Sequence, residues 1–355
     1  MSDRRSMEKS LMTQPEAMAG GGQYNEHSTA QLSAAARAFP LLRQAAAVVP
    51  PTSDGSLTIA DYGCSEGRNS LAPMRAAIEE MCRVHSTDAP ISVVHTGLPL
   101  NDFSSLFATV ADDPRTYAGP AVYTSAVGRS FYQQILPPRS VSLGWSSIAL
   151  HWLSAAAGPL DGMWYTDGTQ SQRDRWARQA GDDWARFLDA RGRELLPGAR
   201  LIIVVGSADA AGYSGAETVM TTLRRVADDM TETGRLPTMS LTPIPAWYRT
   251  TAEWHAPFPH AAFTLDHFEE VVLGDPIAEQ NVEGDRGQYA RDVAEAIRVS
   301  FGPSLLAAIP HEDRAAIEHE LFTERLTDAI NQDTTVGFDW RLAIMMLSRR
   351  DAVGE

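Results

Sequence analysis

The feature that most constrains this chain is an alternation. Short apolar runs occur at "LTIADYG" (57–63), "ISVVHTG" (91–97), "AVYTSAV" (121–127), "SVSLGWSS" (140–147) and "RLIIVVGSA" (200–208). Between them lie segments whose apolar residues recur three and four apart: "SLAPMRAAIEEMCRV" (70–84), "DFSSLFATVAD" (102–112) and "SQRDRWARQAGDDWARFLDARGREL" (171–195). Strand and helix candidates in turn imply an α/β fold, a mostly parallel sheet with helices on both faces. "ARLIIVVG" (199–206) is almost wholly apolar, as a central strand covered on both sides must be. "STAQLSAAARAFPLLRQAAAVV" (28–49) reads as one helix ending before Pro50-Pro51.

From about residue 213 the pattern changes. "GAETVMTTLRRVADDMTETG" (215–234), "QYARDVAEAIRVSFGPSLLAAI" (288–309) and "RAAIEHELFTERLTDAI" (314–330) are amphipathic helix candidates, and "VGFDWRLAIMMLSRR" (336–350) reads as a final strand. The expected organisation is a polar segment over 1–17, then an α/β core over 18–212 completed by about 255–275 and 335–355. An α-helical cap over 213–254 and 276–334 covers the strand C-termini, the end where open α/β sheets hold ligands.

Composition narrows the function. With 44% hydrophobic and 21% charged residues the chain is of ordinary globular type. A formal net charge of −15 with no basic face argues against a nucleic-acid partner. No apolar run reaches the ~18–20 residues of a membrane span, and no apolar stretch follows the basic N-terminal residues as in a secretory signal. The two cysteines, Cys64 and Cys82, have neither disulfide nor metal-type spacing, so a cytoplasmic location is expected. A homodimer is carried as the expected assembly.

"IADYGCSEGRNS" (59–70) is a strand, a glycine turn and a helix start. Gly63-Cys64-Ser65-Glu66-Gly67 fits the G-x-S-x-G elbow of serine hydrolases. Asp61 ending the strand beside Gly63 and Gly67 equally suits a polar cofactor resting on the loop and the next helix N-terminus. The hydrolase reading needs an oxyanion loop on an earlier strand, and "AGGGQ" (19–23) has no strand before Ile59 to carry it. His255, His260, His267, His311 and His319 lack an evident acidic partner. The loop alone still leaves both readings open, along with a ligand-binding protein that has no turnover.

Further motifs carry a resemblance. "MAGGGQYNEHSTAQ" (18–31), "ADYGCSEGRNSL" (60–71), "LPLNDFSSLF" (98–107) and "GRSFYQQILPPRSVSLGWSSIALHWLS" (128–154) occur in this order. Weaker echoes follow in "PIPAWYRTTAEW" and "RDVAEAIRVSFG". Together they resemble the SABATH family of S-adenosylmethionine-dependent carboxyl methyltransferases over nearly the whole chain. The resemblance implies a Rossmann-like methyltransferase core and S-adenosylmethionine as methyl donor. Tyr24, Ser28, Asp61, Gly63, Asn69, Leu98, Ser130 and Phe131 would line the cofactor. Gln31, His151 and Trp152 would hold the acceptor carboxylate, with Ile148 beside them. Three positions depart from the family pattern. Gly97 stands where a ribose-binding acid is expected, Ile148 where an aromatic residue is usual, and His27 where Asn is common. On local context alone, Trp152 would read as core, His151 as a satisfied buried histidine and Gln31 as a surface residue.

The implied chemistry suits these residue types. A carboxylic acid is already ionised at neutral pH, so neither a general base nor a metal is needed. The protein has to align the carboxylate with the methyl group and exclude water. The expected acceptor is a medium-chain fatty acid, because Ile148 offers no ring to stack on and Met220 and Met230 supply flexible apolar surface. A benzoate- or salicylate-like acid comes next, and a nitrogen or phenol acceptor is the alternative within the same family.

Overall fold

The computed structural model describes residues 16–85, 89–237, 240–281 and 284–350. Most of the expected 1–17 segment, and the last five residues of the expected core, therefore lie outside the described residues. The centre is a seven-stranded sheet: β1 (Leu57–Tyr62), β2 (Ile91–Gly97), β3 (Val122–Gly128), β4 (Val141–Ser147), β5 (Leu195–Gly206), β6 (Phe263–Leu273) and β7 (Trp340–Arg349). Its strand order is β3-β2-β1-β4-β5-β7-β6. β1 to β5 run parallel, while β7 lies antiparallel between β5 and β6. Leu201 to Val205 of β5 are fully buried, as the apolar run requires. β1 pairs with β2 on one side and β4 on the other, so the strand order reverses there and a crevice opens beyond the ends of β1 and β4.

The 28–49 segment is two helices, α1 being the short Gln23–His27 before them. α2 covers Thr29–Ala36 and α3 covers Phe39–Ala46. Pro40 sits in the first turn of α3, where its missing N–H costs nothing. In the middle of one long helix the same residue would have broken a hydrogen bond. α4 (Arg68–Val84), α5 (Phe103–Asp112) and α6 (Gln170–Glu194) fall where the periodicity places them. β6 was not among the strand candidates, although 255–275 was assigned to the core. It is an edge strand carrying Asp266, Glu269 and Glu270 with a register shift near Leu265, so its apolar alternation is broken.

Beyond β5 come α7 (Glu217–Glu232), α8 (Thr251–His255), α9 (Pro276–Gln280), α10 (Arg286–Leu305), α11 (His311–Glu318) and α12 (Thr327–Gln332). A π-helical stretch, His319–Leu326, makes α11 and α12 continuous. Met220, Leu223, Met230, Val293, Leu305 and Phe322 from this layer share one buried cluster with Trp152 and Trp164 of the segment after β4. Among the described residues no helix is long and apolar enough to cross a membrane.

Candidate active site

Two adjoining cavities lie past the carboxyl ends of β1, β2 and β4, apart from a third of about 710 Å³ past β5. The larger of the adjoining pair, about 500 Å³, is bounded by the β1–α4 loop (Gly63, Ser65), the end of β2 (Gly97, Leu98), the segment after β3 (Ser130, Phe131) and the turn after β4. The smaller, about 110 Å³, is bounded by α2, the turn after β4, α7, α10 and the start of β7. Met18, Tyr24, Ile148 and Trp152 line both. The two chambers therefore share one wall.

Local backbone geometry builds the larger chamber. Gly63 has φ 99°, and a Cβ there would come within 2.5 Å of the Ala149 Cβ, so only glycine lets the β1 loop approach the β4 turn. Ser65 also has positive φ, at 47°, and its buried Oγ has no hydrogen-bond partner. No histidine engages that hydroxyl, and β1 is the first strand among the described residues. The elbow geometry of a hydrolase is therefore missing.

Of the expected cofactor residues, Tyr24, Gly63, Leu98, Ser130 and Phe131 line this chamber, whereas Ser28, Asp61 and Asn69 do not. Asp61 is buried behind the loop. One of its oxygens accepts from Ser70 Oγ (2.5 Å) and meets His95 Nδ1 (2.8 Å), and His95 Nε2 reaches the Tyr117 hydroxyl (2.6 Å). Its carboxylate thus ties β1 to the first turn of α4 and to β2. Asn69 Nδ2 donates to the Ser28 carbonyl (3.2 Å) and Oγ (3.0 Å), docking the α1–α2 junction onto α4. Sequence reading did not single out Glu66, whose carboxylate accepts from the backbone N–H of Gly22 (2.7 Å) and Asn25 (3.0 Å) and so fastens the segment carrying Tyr24 to the loop.

The smaller chamber brings Gln31, Ile148, His151 and Trp152 together. Gln31 Oε1 and His151 Nδ1 are buried with no hydrogen-bond partner, and the Trp152 indole N–H makes no hydrogen bond among the described residues. Buried polar atoms are ordinarily paired, so this concentration at one cavity marks a place where a ligand completes the set. The turn that presents them is held from behind. Trp247 N donates to the His151 carbonyl (2.7 Å), Leu153 N to Pro245 (2.7 Å), and the Tyr132 hydroxyl to Trp152. Ile148, a β-branched residue at φ 50°, enters that turn in the left-handed region, a strain of about 1–3 kcal/mol tolerated where the surroundings fix the backbone.

Burial, and then the charge of Arg249, hold the His151 imidazole down at about 3, so it is neutral at physiological pH. Arg249 is a second residue that sequence reading missed. Its buried guanidinium donates to the carbonyls of Leu150 (2.6 Å) and Ala180 (2.6 Å) and lies over the Trp254 ring. Among the described residues it forms no direct ion pair, and its positive charge acts on the His151 imidazole.

A family model described as S-adenosylmethionine-dependent carboxyl methyltransferase matches residues 13–347. The chain belongs to this family. Methyltransferase FUS9 of Gibberella fujikuroi is 32% identical over 224 residues, which is 62% of this chain and 60% of that protein, so the match spans about three fifths of that relative's length. Indole-3-acetate O-methyltransferase 1 of Oryza sativa subsp. japonica is 26% identical over 80% of each chain. A solved loganic acid methyltransferase with S-adenosylhomocysteine superposes with a TM-score of 0.76 at 20% identity, covering 95% of this chain and 100% of that one. That likeness establishes a Rossmann-like methyltransferase fold.

The cofactor of this S-adenosylmethionine-dependent family fits the larger chamber. The unpaired Ser65 Oγ, the glycine-floored loop and the Phe131 ring offer polar and stacking surface to a nucleoside with a charged tail.

Proposed function

We propose that this methyltransferase esterifies the carboxylate of a small apolar acid, with the larger chamber holding the donor and the smaller the acceptor. When bound, the donor supplies an electrophilic methyl group on a sulfonium. The observation that carries the reading is the shared wall of Met18, Tyr24, Ile148 and Trp152 with the buried, unpaired Gln31 Oε1 and His151 Nδ1 beside it. Two ligands in chambers with a common wall are held in proximity, which by itself lowers the barrier of a bimolecular transfer. Gln31, His151 and Trp152 orient the acid. Gln31 through Nε2, neutral His151 through its one ring N–H and Trp152 through its indole N–H are neutral donors, and they bind a carboxylate without neutralising the oxygen that attacks. His151 accepts no proton, because the acceptor arrives ionised and the imidazole environment disfavours charge. Arg249 favours an anion over a neutral acceptor through its buried charge.

Most of the remaining lining is apolar, with Val219, Met220, Ile277, Val293, Ile297 and Phe301, which suits a hydrocarbon body, while Ser214, Ser300 and Asp339 add polar atoms to the wall. Met230 packs in the core and is absent from that lining. A dry cavity of about 150 Å³ holds a benzene ring. At about 110 Å³ this one suits a short tail, which moves the expectation from medium-chain toward shorter fatty acids, with benzoate-like acids next. The test is kcat/KM across straight-chain acids beside benzoate and salicylate. We expect a rise of ~0.8 kcal/mol per methylene to an early plateau. A clear preference for salicylate, or no dependence on length, removes the aliphatic reading. The two free cysteines suit a reducing cytoplasm.

A further inference from the structure

In nucleotide-binding α/β folds, an acidic residue at the end of the second strand accepts hydrogen bonds from the ribose. Here that strand ends in Gly97, with no side chain to do so. The space is nonetheless occupied. A Cβ built on Gly97 would meet Asn101 Cβ and Cγ at 3.1 Å and Nδ2 at 3.3 Å, so the Asn101 side chain lies where a side chain at 97 would begin.

Asn101 is held there from two directions. Its backbone N–H donates to the Leu98 carbonyl (2.9 Å), closing a tight turn after β2. Its Nδ2 donates to the Ser65 carbonyl (2.9 Å) on the β1 loop. With Nδ2 engaged, the amide is oriented, and Oδ1 has no partner among the described residues. Gly97, Leu98, Asn101 and Ser65 all line the donor chamber.

We propose that Asn101 Oδ1 takes over the ribose contact, the pair Gly97–Asn101 standing in for an acid at position 97. The proposal rests on the larger chamber being the S-adenosylmethionine site. Glu16 is the one carboxylate lining that chamber among the described residues, and it sits against Ser304 of α10 rather than on β2. An amide acceptor makes a neutral hydrogen bond, weaker than one to a carboxylate and insensitive to pH.

The test is the affinity of S-adenosylhomocysteine, by titration calorimetry, compared with its 2′,3′-dideoxyribose analogue. Wild-type protein should bind the analogue about two- to tenfold more weakly, the range of one or two neutral hydrogen bonds. Asn101→Ala should lose the same factor for S-adenosylhomocysteine and nothing further for the analogue. Gly97→Asp alone should weaken binding, because Asn101 blocks the new side chain. Gly97→Asp with Asn101→Ala should recover wild-type affinity or better. Equal losses for both ligands in Asn101→Ala would assign Asn101 to the scaffold and overturn the proposal. So would a double variant no better than Asn101→Ala, or a loss on Glu16→Ala confined to the hydroxylated ligand. The wild-type comparison between the two ligands needs no variant: equal affinities overturn the proposal even if Asn101→Ala fails to fold. Absence of any S-adenosylhomocysteine binding by the wild type is a separate result, and it refutes the donor chamber itself.

Discussion

Substitution of Glu194 by glutamine should reveal how strongly the donor site depends on the buried charge pair behind its Phe131–Gln133 wall. Arg191 and Glu194, at the end of α6, are both fully buried and paired at 2.9 Å. Glu194 also accepts from the Tyr62 hydroxyl (2.8 Å) at the end of β1 and from the backbone N–H groups of Ile135 (2.5 Å) and Leu136 (3.1 Å). Arg191 in turn donates to the carbonyls of Phe131 (2.6 Å) and Gln133 (2.8 Å), and Phe131 lines the donor chamber. Glu194→Gln strips the counterion from a guanidinium that cannot reach water. Breaking a buried pair from one side costs about 3–5 kcal/mol. At ~2.1 cal/mol/K per residue over 355 residues, the unfolding entropy is about 0.75 kcal/mol/K. The melting temperature should therefore fall by about 4–7 °C. Differential scanning calorimetry reads the shift. Calorimetric titration with S-adenosylhomocysteine should show weakened affinity as the Phe131–Gln133 segment loosens. Replacing both partners by methionine should not restore the stability, because the Tyr62 hydroxyl, the Ile135 and Leu136 N–H groups and the Phe131 and Gln133 carbonyls then lose their partners. An unchanged melting temperature and donor affinity in Glu194→Gln would refute the reasoning.

Four other outcomes follow from the site. The pH profile of kcat should show no limb near the ordinary imidazole value of ~6.5, since His151 is neutral well below it, and His151→Gln should retain measurable turnover with normal cofactor binding. The same lowered value makes stability depend on acid. The unfolded imidazole takes up its proton below ~6.5 while the folded one does not, so His151's contribution is full above that pH. It is lost as pH falls toward 3, at up to ~1.4 kcal/mol per unit, and urea unfolding at pH 7 and 5 should show a shallower difference for His151→Gln. Trp152→Phe keeps a ring on the shared wall but removes the N–H, so kcat/KM for the acid should fall roughly ten- to a hundredfold. Ser65→Ala should leave methyl transfer in place, whereas loss of transfer with unchanged cofactor affinity would require a chemical role for that hydroxyl.

What was legible in the sequence divides along a physical line. Parallel buried strands announce themselves through local apolar runs, so β5 and its neighbours could be read directly. β6 could not, because an edge strand exposed to water carries Asp266, Glu269 and Glu270 in place of alternation. The helix split before Phe39 turned on one proline whose local cost depends on whether it falls in a first turn or an interior. Gln31, His151 and Trp152, far apart in the sequence, line one cavity. Asp61 and Asn69 illustrate the limit. Both belong to the recognisable loop, yet Asp61 Oδ2 and Asn69 Nδ2 are engaged by Ser70, His95 and Ser28, positions that no spacing rule connects to them. Arg249 and Asn101 were invisible for a related reason. A lone arginine or asparagine signals nothing until the fold shows which of its atoms have been left unpaired and what they face.

In the proposed reaction a carboxylate oxygen, in a chamber sharing a wall with the donor site, receives the methyl group. Its most direct test uses S-adenosylmethionine carrying a deuterated methyl group, incubated with the protein and a panel of short straight-chain acids, benzoate and salicylate, with products identified by mass spectrometry before and after mild alkali. The expected product is a labelled methyl ester, destroyed by alkali with return of the free acid, and one S-adenosylhomocysteine formed per ester. A label resistant to alkali on a ring oxygen or on nitrogen, or no transfer to any acid by protein that binds S-adenosylhomocysteine, would contradict it.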